Sequence, residues 1–288
     1  MLDTYKGYRL LLVHAHPDDE TINNGATMAM YAALGADVTL ITCTRGEEGE
    51  VLVEEHSHKA AAHDDLLGEH RVIELADAMK ALGVKDHRFL GAPYKQYRDS
   101  GMMDTEPNNR EDSFWRADFE EATRHLVDVI DEVKPHVLIT YDEFGGYGHP
   151  DHIQAHRVAM AAAEKSNWDI YKIYWNVTPR SVIQEGIDKM KELGSDFFGA
   201  ESADDLPFCK DDSFVSTLID GNEYVEAKMA AMRAHATQIS VDGPFFALSN
   251  NLGLQVWGHE YYTLVKGEKS APLDEAERER DIFAGISL

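Results

Sequence analysis

An α/β fold is what this sequence predicts: a doubly wound, mainly parallel sheet in residues 1–179 and a smaller C-terminal lobe in residues 180–288. Two observations carry that expectation. Through the first half, short apolar runs alternate with longer amphipathic stretches, the rhythm of successive βαβ units. Beyond Pro179 the rhythm changes to helices separated by polar loops such as "DDLPFCKDDS" and "DGPFFALSNN".

The elements follow in order. "RLLLVHAH" is a buried strand, "GATMAMYAALG" a helix closed by Gly35, and "DVTLITCT" a second buried strand. A long helical stretch from about His56 to Leu82 leads to a weaker third strand, "HRFLGAP". A helix from Phe114 to Val133 precedes a strong fourth strand, "HVLITYD", and "YKIYWNVTP" is the fifth. This is a Rossmann-like pattern. In the smaller lobe one late run, "EYYTLVKG", reads as a strand, and the tail "LDEAERERDIFAGISL" docks a last helical turn.

Composition narrows the partners. With 52 acidic against 27 basic side chains the formal charge is −25, which repels a phosphate backbone or an anionic membrane surface. Nucleic acid and membrane are therefore excluded as expected partners, and a neutral or cationic small molecule is favoured. Cys43 lies inside an apolar run and Cys209 is the only other cysteine, so no disulfide framework is built. The apolar run near the N-terminus is too short for a secretory signal, and a cytoplasmic location is expected.

Chemistry concentrates at two strand ends. The first strand runs into His16-Pro17-Asp18-Asp19, where proline biases His16 towards extended geometry. The fourth runs through a glycine-rich loop into His149-Pro150-Asp151-His152, with proline in the first turn of a helix. In a doubly wound sheet, ligands collect where the strand order reverses, here between strands one and four. His16, Asp19 and one histidine of the second cluster would form a two-histidine, one-carboxylate site with a position open for water, the composition of a catalytic zinc. Asp18 then remains as a base. Each cluster alone could be a helix cap or loop punctuation; their coincidence at adjacent strand ends is what points to a site.

These motifs resemble those of the metal-dependent N-acetylglucosaminyl deacetylase superfamily, the LmbE-like or PIG-L family. "HAHPDDETINNGAT", "TCTRGEEGEV", "YRDSGM", "YDEFGGYGHPDH", "RAHATQ" and "ALSNN" look like its mycothiol-biosynthesis branch. The resemblance implies one divalent metal, zinc or ferrous iron, held by His16, Asp19 and His152, with Asp18 as general base. It further implies that His149 protonates the leaving amine or steadies the oxyanion, oriented by Asp151, and that Tyr147 makes an oxyanion contact. Arg71 and Asp99 match positions that hold sugar and inositol hydroxyls, with Glu50 and Met102 lining the same pocket. The implied reaction removes the acetyl group of N-acetyl-glucosaminyl-inositol.

Other readings are narrower. His56, His58, His63 and His70 are not spaced to share a ligand face of one helix, while His156 suits a supporting role behind the metal. His235 either covers the pocket or packs in the core. The sister amidase that cleaves mycothiol conjugates typically has a lysine where this chain has Asn23, which favours the deacetylase. A non-catalytic sugar- or metal-binding module would have no use for Asp18, and a dinucleotide site would need a glycine-rich turn after the first strand.

Overall fold

The computed structural model describes residues 4–192, 194, 199–240 and 258–288 of the 288. The "DGPFFALSNN" loop, and with it the "ALSNN" motif, lies outside the described residues. A seven-stranded sheet is built from β1 (Arg9–His14), β2 (Asp37–Thr42), β3 (Asp86–Phe89), β4 (Val137–Thr140), β5 (Lys172–Asn176), β8 (Thr217–Asp220) and β9 (His259–Lys266). A separate two-stranded ribbon joins β6 (Thr178–Pro179) to β7 (Cys209–Lys210). The helices are α1 (Asp19–Ala33), α2 (Leu67–Leu82), α3 (Phe119–Val133), the short turn α4 (Gly145–Gly148), α5 (Pro150–Lys165), α6 (Arg180–Glu192) and α7 (Val225–Ala234).

The apolar strands are continuous because both faces of the sheet are covered. On β1, Leu10 and Leu12 face the layer of α1 and α2, whereas Leu11 and Val13 face that of α3 and α5. On β4 the same alternation sends Val137 and Ile139 one way and Leu138 the other. The sheet order is β3-β2-β1-β4-β5-β9-β8, with β1 to β5 parallel. The chain thus moves outwards from β1 to β3 and restarts at β4 on the other side of β1. That reversal opens a crevice at the carboxyl ends of β1 and β4.

Three expectations are revised. The run "EYYTLVKG" becomes β9, which pairs antiparallel with β5 and carries β8 on its other edge, so it extends the main sheet rather than a separate lobe. Beyond 179 the chain accordingly divides: α6 and the β6–β7 ribbon enclose a small core of Ile187, Met190, Ala203 and Cys209, while α7 packs on α1 and α2. The physical reason is that β5 would otherwise present an unpaired edge. The long helix foreseen from His56 begins only at Leu67, after a 3-10 turn at Glu54–Lys59. The tail docks as expected, through Ile282, Phe283 and Ile286, but as turns rather than a helix. No helix among the described residues is long and apolar enough to cross a membrane.

Candidate metal centre

Both sequence clusters meet in that crevice. After β1 the chain turns through Pro17 and Asp18 into the first turn of α1, bringing His16 and Asp19 together; both are buried. After β4 it passes through the glycine turn α4 and enters α5, whose N-cap is His149 and whose first turn holds Pro150 and His152. Gly145 is required by close approach. Its φ is +65°, and a Cβ there would come within 2.6 Å of His152 Cβ.

Three acceptor atoms converge. His152 Nε2 lies 3.3 Å from His16 Nδ1 and 3.3 Å from Asp19 Oδ2, and His16 Nδ1 lies 3.4 Å from the same oxygen. The remaining ring nitrogens fix the tautomers. His16 Nε2 is 3.2 Å from Asp151 Oδ2 and 3.5 Å from Asp99 Oδ1, so it carries the proton. His152 Nδ1 donates to Gly145 O at 3.1 Å. In their neutral forms both rings therefore aim a lone pair at the common point and at Asp19. A cation with ligand bonds of about 2.0–2.1 Å in tetrahedral geometry separates its ligands by roughly 3.3–3.4 Å. The donor set and its spacing fit such an ion. Burial alone would depress the His16 imidazole, but Asp99, Asp151 and Asp19 outweigh it and hold it well above the usual histidine range, so the acidic surroundings favour a positive charge here: a second proton on His16 without an ion, or a metal ion in that proton's place.

Asp18 stands beside this triangle in a backbone conformation that side chains rarely adopt, with φ +118°. Three groups hold it there. Arg71, itself buried, reaches Asp18 Oδ2 at 3.2 Å, Gly46 O at 2.8 Å and Pro17 O in a short hydrogen bond. Glu20 Oε2 accepts the Asp18 N–H at 3.0 Å, and Glu20 Oε1 is bonded by His235 Nε2 at 2.9 Å. Burial pushes the Asp18 carboxyl up to about 6, against the pull of Arg71.

The expected role of Asp151 changes. Its backbone N–H, not its carboxylate, meets His149, donating to Nδ1 at 3.1 Å as the helix cap. The carboxylate instead bonds His16, the Ser100 N–H at 2.9 Å and, in a short bond, the Ser100 hydroxyl. With Nδ1 accepting, neutral His149 bears its proton on Nε2. Burial, reinforced by His16 and His152, pushes its pKa down to about 2.

The other expected residues sort by contact. Tyr147 lies with its ring 5.0 Å from that of His152 and 6.1 Å from that of His149, and burial pushes its phenol up, so it stays protonated. Arg71 and Asp99, expected to hold hydroxyls, are both committed to the protein: Asp99 accepts from Gly101 N and Glu48 N and flanks His16. Met102 and Glu50 are exposed, and the Glu50 carbonyl accepts from Gln238. His156 donates to Tyr141 O at 2.9 Å, behind the ring that stacks on His152. His56 and His70 pack against each other with tilted rings, and every compact group of three metal-ligating side chains among the described residues includes His16. His235 is fully buried and bonded to Glu20, behind Asp18.

Sequence reasoning missed two supports. Tyr141 donates to Asp19 Oδ2 at 2.8 Å and stacks on His152, with ring centroids 4.3 Å apart. Ser100 holds Asp151 from a segment 51 residues away. Tyr141 sits inside the quoted "YDEFGGYGHPDH", where its place at the end of β4 was a usable signal; Ser100 gave none beyond "YRDSGM".

A mainly parallel α/β sheet whose switch point gathers two imidazoles and a carboxylate defines a class, that of Rossmann-like proteins with a candidate metal centre. The family model of PIG-L, described as GlcNAc-PI de-N-acetylase, matches residues 11–163. The chain belongs to this family. It is 57% identical to a 1D-myo-inositol 2-acetamido-2-deoxy-alpha-D-glucopyranoside deacetylase 1 of Catenulispora acidiphila, over 97% of this chain and 90% of that one. A protein of Geodermatophilus obscurus with the same name, without the numeral, is also 57% identical, over 96% and 98%. Among solved structures, N,N'-diacetylchitobiose deacetylase from Pyrococcus horikoshii superposes with a TM-score of 0.56 at 19% identity, covering 90% of this chain and 84% of that one. The 4-carboxy-2-hydroxymuconate hydratase GalB of Pseudomonas putida reaches 0.57 at 17% identity, over 93% and 100%. At such identities the likeness concerns the fold, which serves both a deacetylase and a hydratase.

Proposed function

We propose that this chain is a metal-dependent deacetylase that removes the N-acetyl group from 1D-myo-inositol 2-acetamido-2-deoxy-α-D-glucopyranoside, the compound in the names of the relatives at 57% identity. The observation that supports it best is the convergence of lone pairs from His16, Asp19 and His152 at the spacing of a ligand shell. These three residues would hold the ion. Zinc suits two imidazoles and one carboxylate with a position left open, and ferrous iron accepts the same set. When bound, the ion supplies Lewis-acid polarisation of the amide carbonyl and makes water more acidic.

The side chains do the rest. Asp18, with a carboxyl near 6, is an anion at neutral pH that can take a proton from the attacking water and return it to the departing nitrogen. Neutral His149 presents Nε2–H to the carbonyl oxygen as negative charge develops there, and the Tyr147 hydroxyl is a second donor. The depressed His149 pKa favours this role over delivery of a proton to nitrogen. Water's oxygen joins the carbonyl carbon, the C–N bond breaks, and acetate and the free amine leave. Arg71 and Asp99 position Asp18 and His16, while Met102 and Glu50, both exposed, are the residues that the family resemblance assigns to the sugar-inositol portion.

Acetate release from the acetylated pseudodisaccharide, measured before and after exhaustive chelation and again after zinc is restored, tests this reading. Turnover that survives metal removal overturns it, as does a higher kcat/KM on the cysteinyl amide of a mycothiol conjugate.

A further inference from the structure

The loop that carries Tyr147 is gripped from outside the catalytic strands. Lys210, on β7, places its Nζ 3.0 Å from Asp142 Oδ2 and 5.5 Å from the centroid of the Phe144 ring. The other oxygen of Asp142 accepts the Gly146 N–H at 2.8 Å, so the carboxylate that Lys210 holds also fixes the residue just before Tyr147. Phe144 in turn lies against the far side of the loop, where a Cβ built on Gly148 would come within 3.0 Å of its ring. One ammonium therefore engages the base of the loop and, through an aromatic ring, its rim.

The loop has reason to need this. Gly145, Gly146 and Gly148 adopt φ of +65°, +76° and +90°, so three of the four residues of α4 are ones with the least conformational preference of their own. Tyr147 is the only side chain among them, and its neighbours are held through hydrogen bonds to Asp142 and Phe144, the two residues that Lys210 engages. The Asp142 and Lys210 side chains are 15% and 31% exposed, which shields their interaction from solvent more than a free surface pair.

We propose that Lys210 is a positioning residue for the reaction: by holding Asp142 and Phe144 it keeps Tyr147 facing His149 and His152, so that the segment after α6 tunes turnover without contributing a group to the centre. The inference rests on the reading of Tyr147 as a donor to the oxyanion. A double-mutant cycle tests it. Lys210→Met lowers kcat by about 3- to 30-fold, with bound zinc per subunit unchanged, and Lys210→Arg restores most of the loss. Asp142→Asn, which keeps an oxygen for Gly146 but removes the charge opposite Lys210, gives a similar loss and guards against a folding defect in the first variant. In a Tyr147→Phe background Lys210→Met has no further effect. An equal fold-loss in both backgrounds overturns the proposal, as does wild-type kcat in Lys210→Met when Tyr147→Phe is impaired. A Tyr147→Phe enzyme with wild-type kcat instead overturns the reading of Tyr147, and the proposal with it.

Discussion

His16 Nδ1 and His152 Nε2 face each other 3.3 Å apart, each ring having committed its other nitrogen as a donor, to Asp151 and to the Gly145 carbonyl. Two nitrogens so placed, with a carboxylate oxygen beside them, call for a positive charge between them, a proton on His16 or a metal ion that displaces it. Zinc should therefore stabilise the fold. At a hundredfold excess over Kd the gain is roughly 2.7 kcal/mol, visible as a rise in Tm that a chelator reverses. In His16→Ala and His152→Ala the rise disappears, and a wild-type Tm indifferent to zinc would remove the ion from this site.

With Asp18 as the proposed base, the rate depends on pH in a defined direction. The base acts as the carboxylate, so activity is lost as pH falls through its pKa. Burial raises that pKa to about 6, and a dication nearby draws it back down, which puts the acid limb of kcat/KM at or below about pH 6. Asp18→Asn lowers kcat by about 10²- to 10⁴-fold and abolishes the limb at unchanged metal content. A surviving limb of the same midpoint would assign it to another group.

Arg71 separates two readings of one residue. If it bonded substrate hydroxyls, Arg71→Lys would chiefly raise KM. Its guanidinium instead bridges Pro17 O, Gly46 O and Asp18, a fork that an ammonium cannot reproduce. The expected outcome is a kcat lowered by about tenfold to a hundredfold with KM little changed, because the base is misplaced. A KM effect at constant kcat would restore the hydroxyl-binding role.

Ser100 reaches the proposed metal site through two intermediates. Its N–H and hydroxyl both hold the Asp151 carboxylate, which holds His16. Ser100→Ala leaves the fold standing and weakens zinc binding by about 10- to 100-fold, read by competition with a chromogenic chelator. Unchanged affinity would make the contact structural only.

The main strands were legible because their signal is local. Leu10 to Val13 and Val137 to Ile139 are apolar on both faces, as a strand covered by helices on both sides must be. The short third strand and the late start of α2 were less so, since edge strands and turns carry weaker patterns. The addition of β9 to β5 was hidden for a different reason: its partner lies about ninety residues earlier, and no spacing rule reaches that far.

The candidate centre divides along the same line. By itself the sequence determined that His16, Asp18 and Asp19 follow one buried strand, that His149, Asp151 and His152 follow another, and that the two strand ends share a switch point. From spacing alone it left His149 and His152 equivalent. The family resemblance singled out His152, and the tertiary structure gives the two different surroundings: His149 at the N-cap binds a backbone N–H with one nitrogen, whereas His152, one turn inside α5, is turned by the Gly145 carbonyl towards His16. It also decided that Asp151 supports His16 across 135 residues, that Arg71 holds Asp18, and that Tyr141 anchors Asp19. Strand periodicity and helix caps act over a few residues and are written in order along the chain. Hydrogen bonds between distant segments depend on where folding brings their ends, and that is fixed by the packing of the whole sheet.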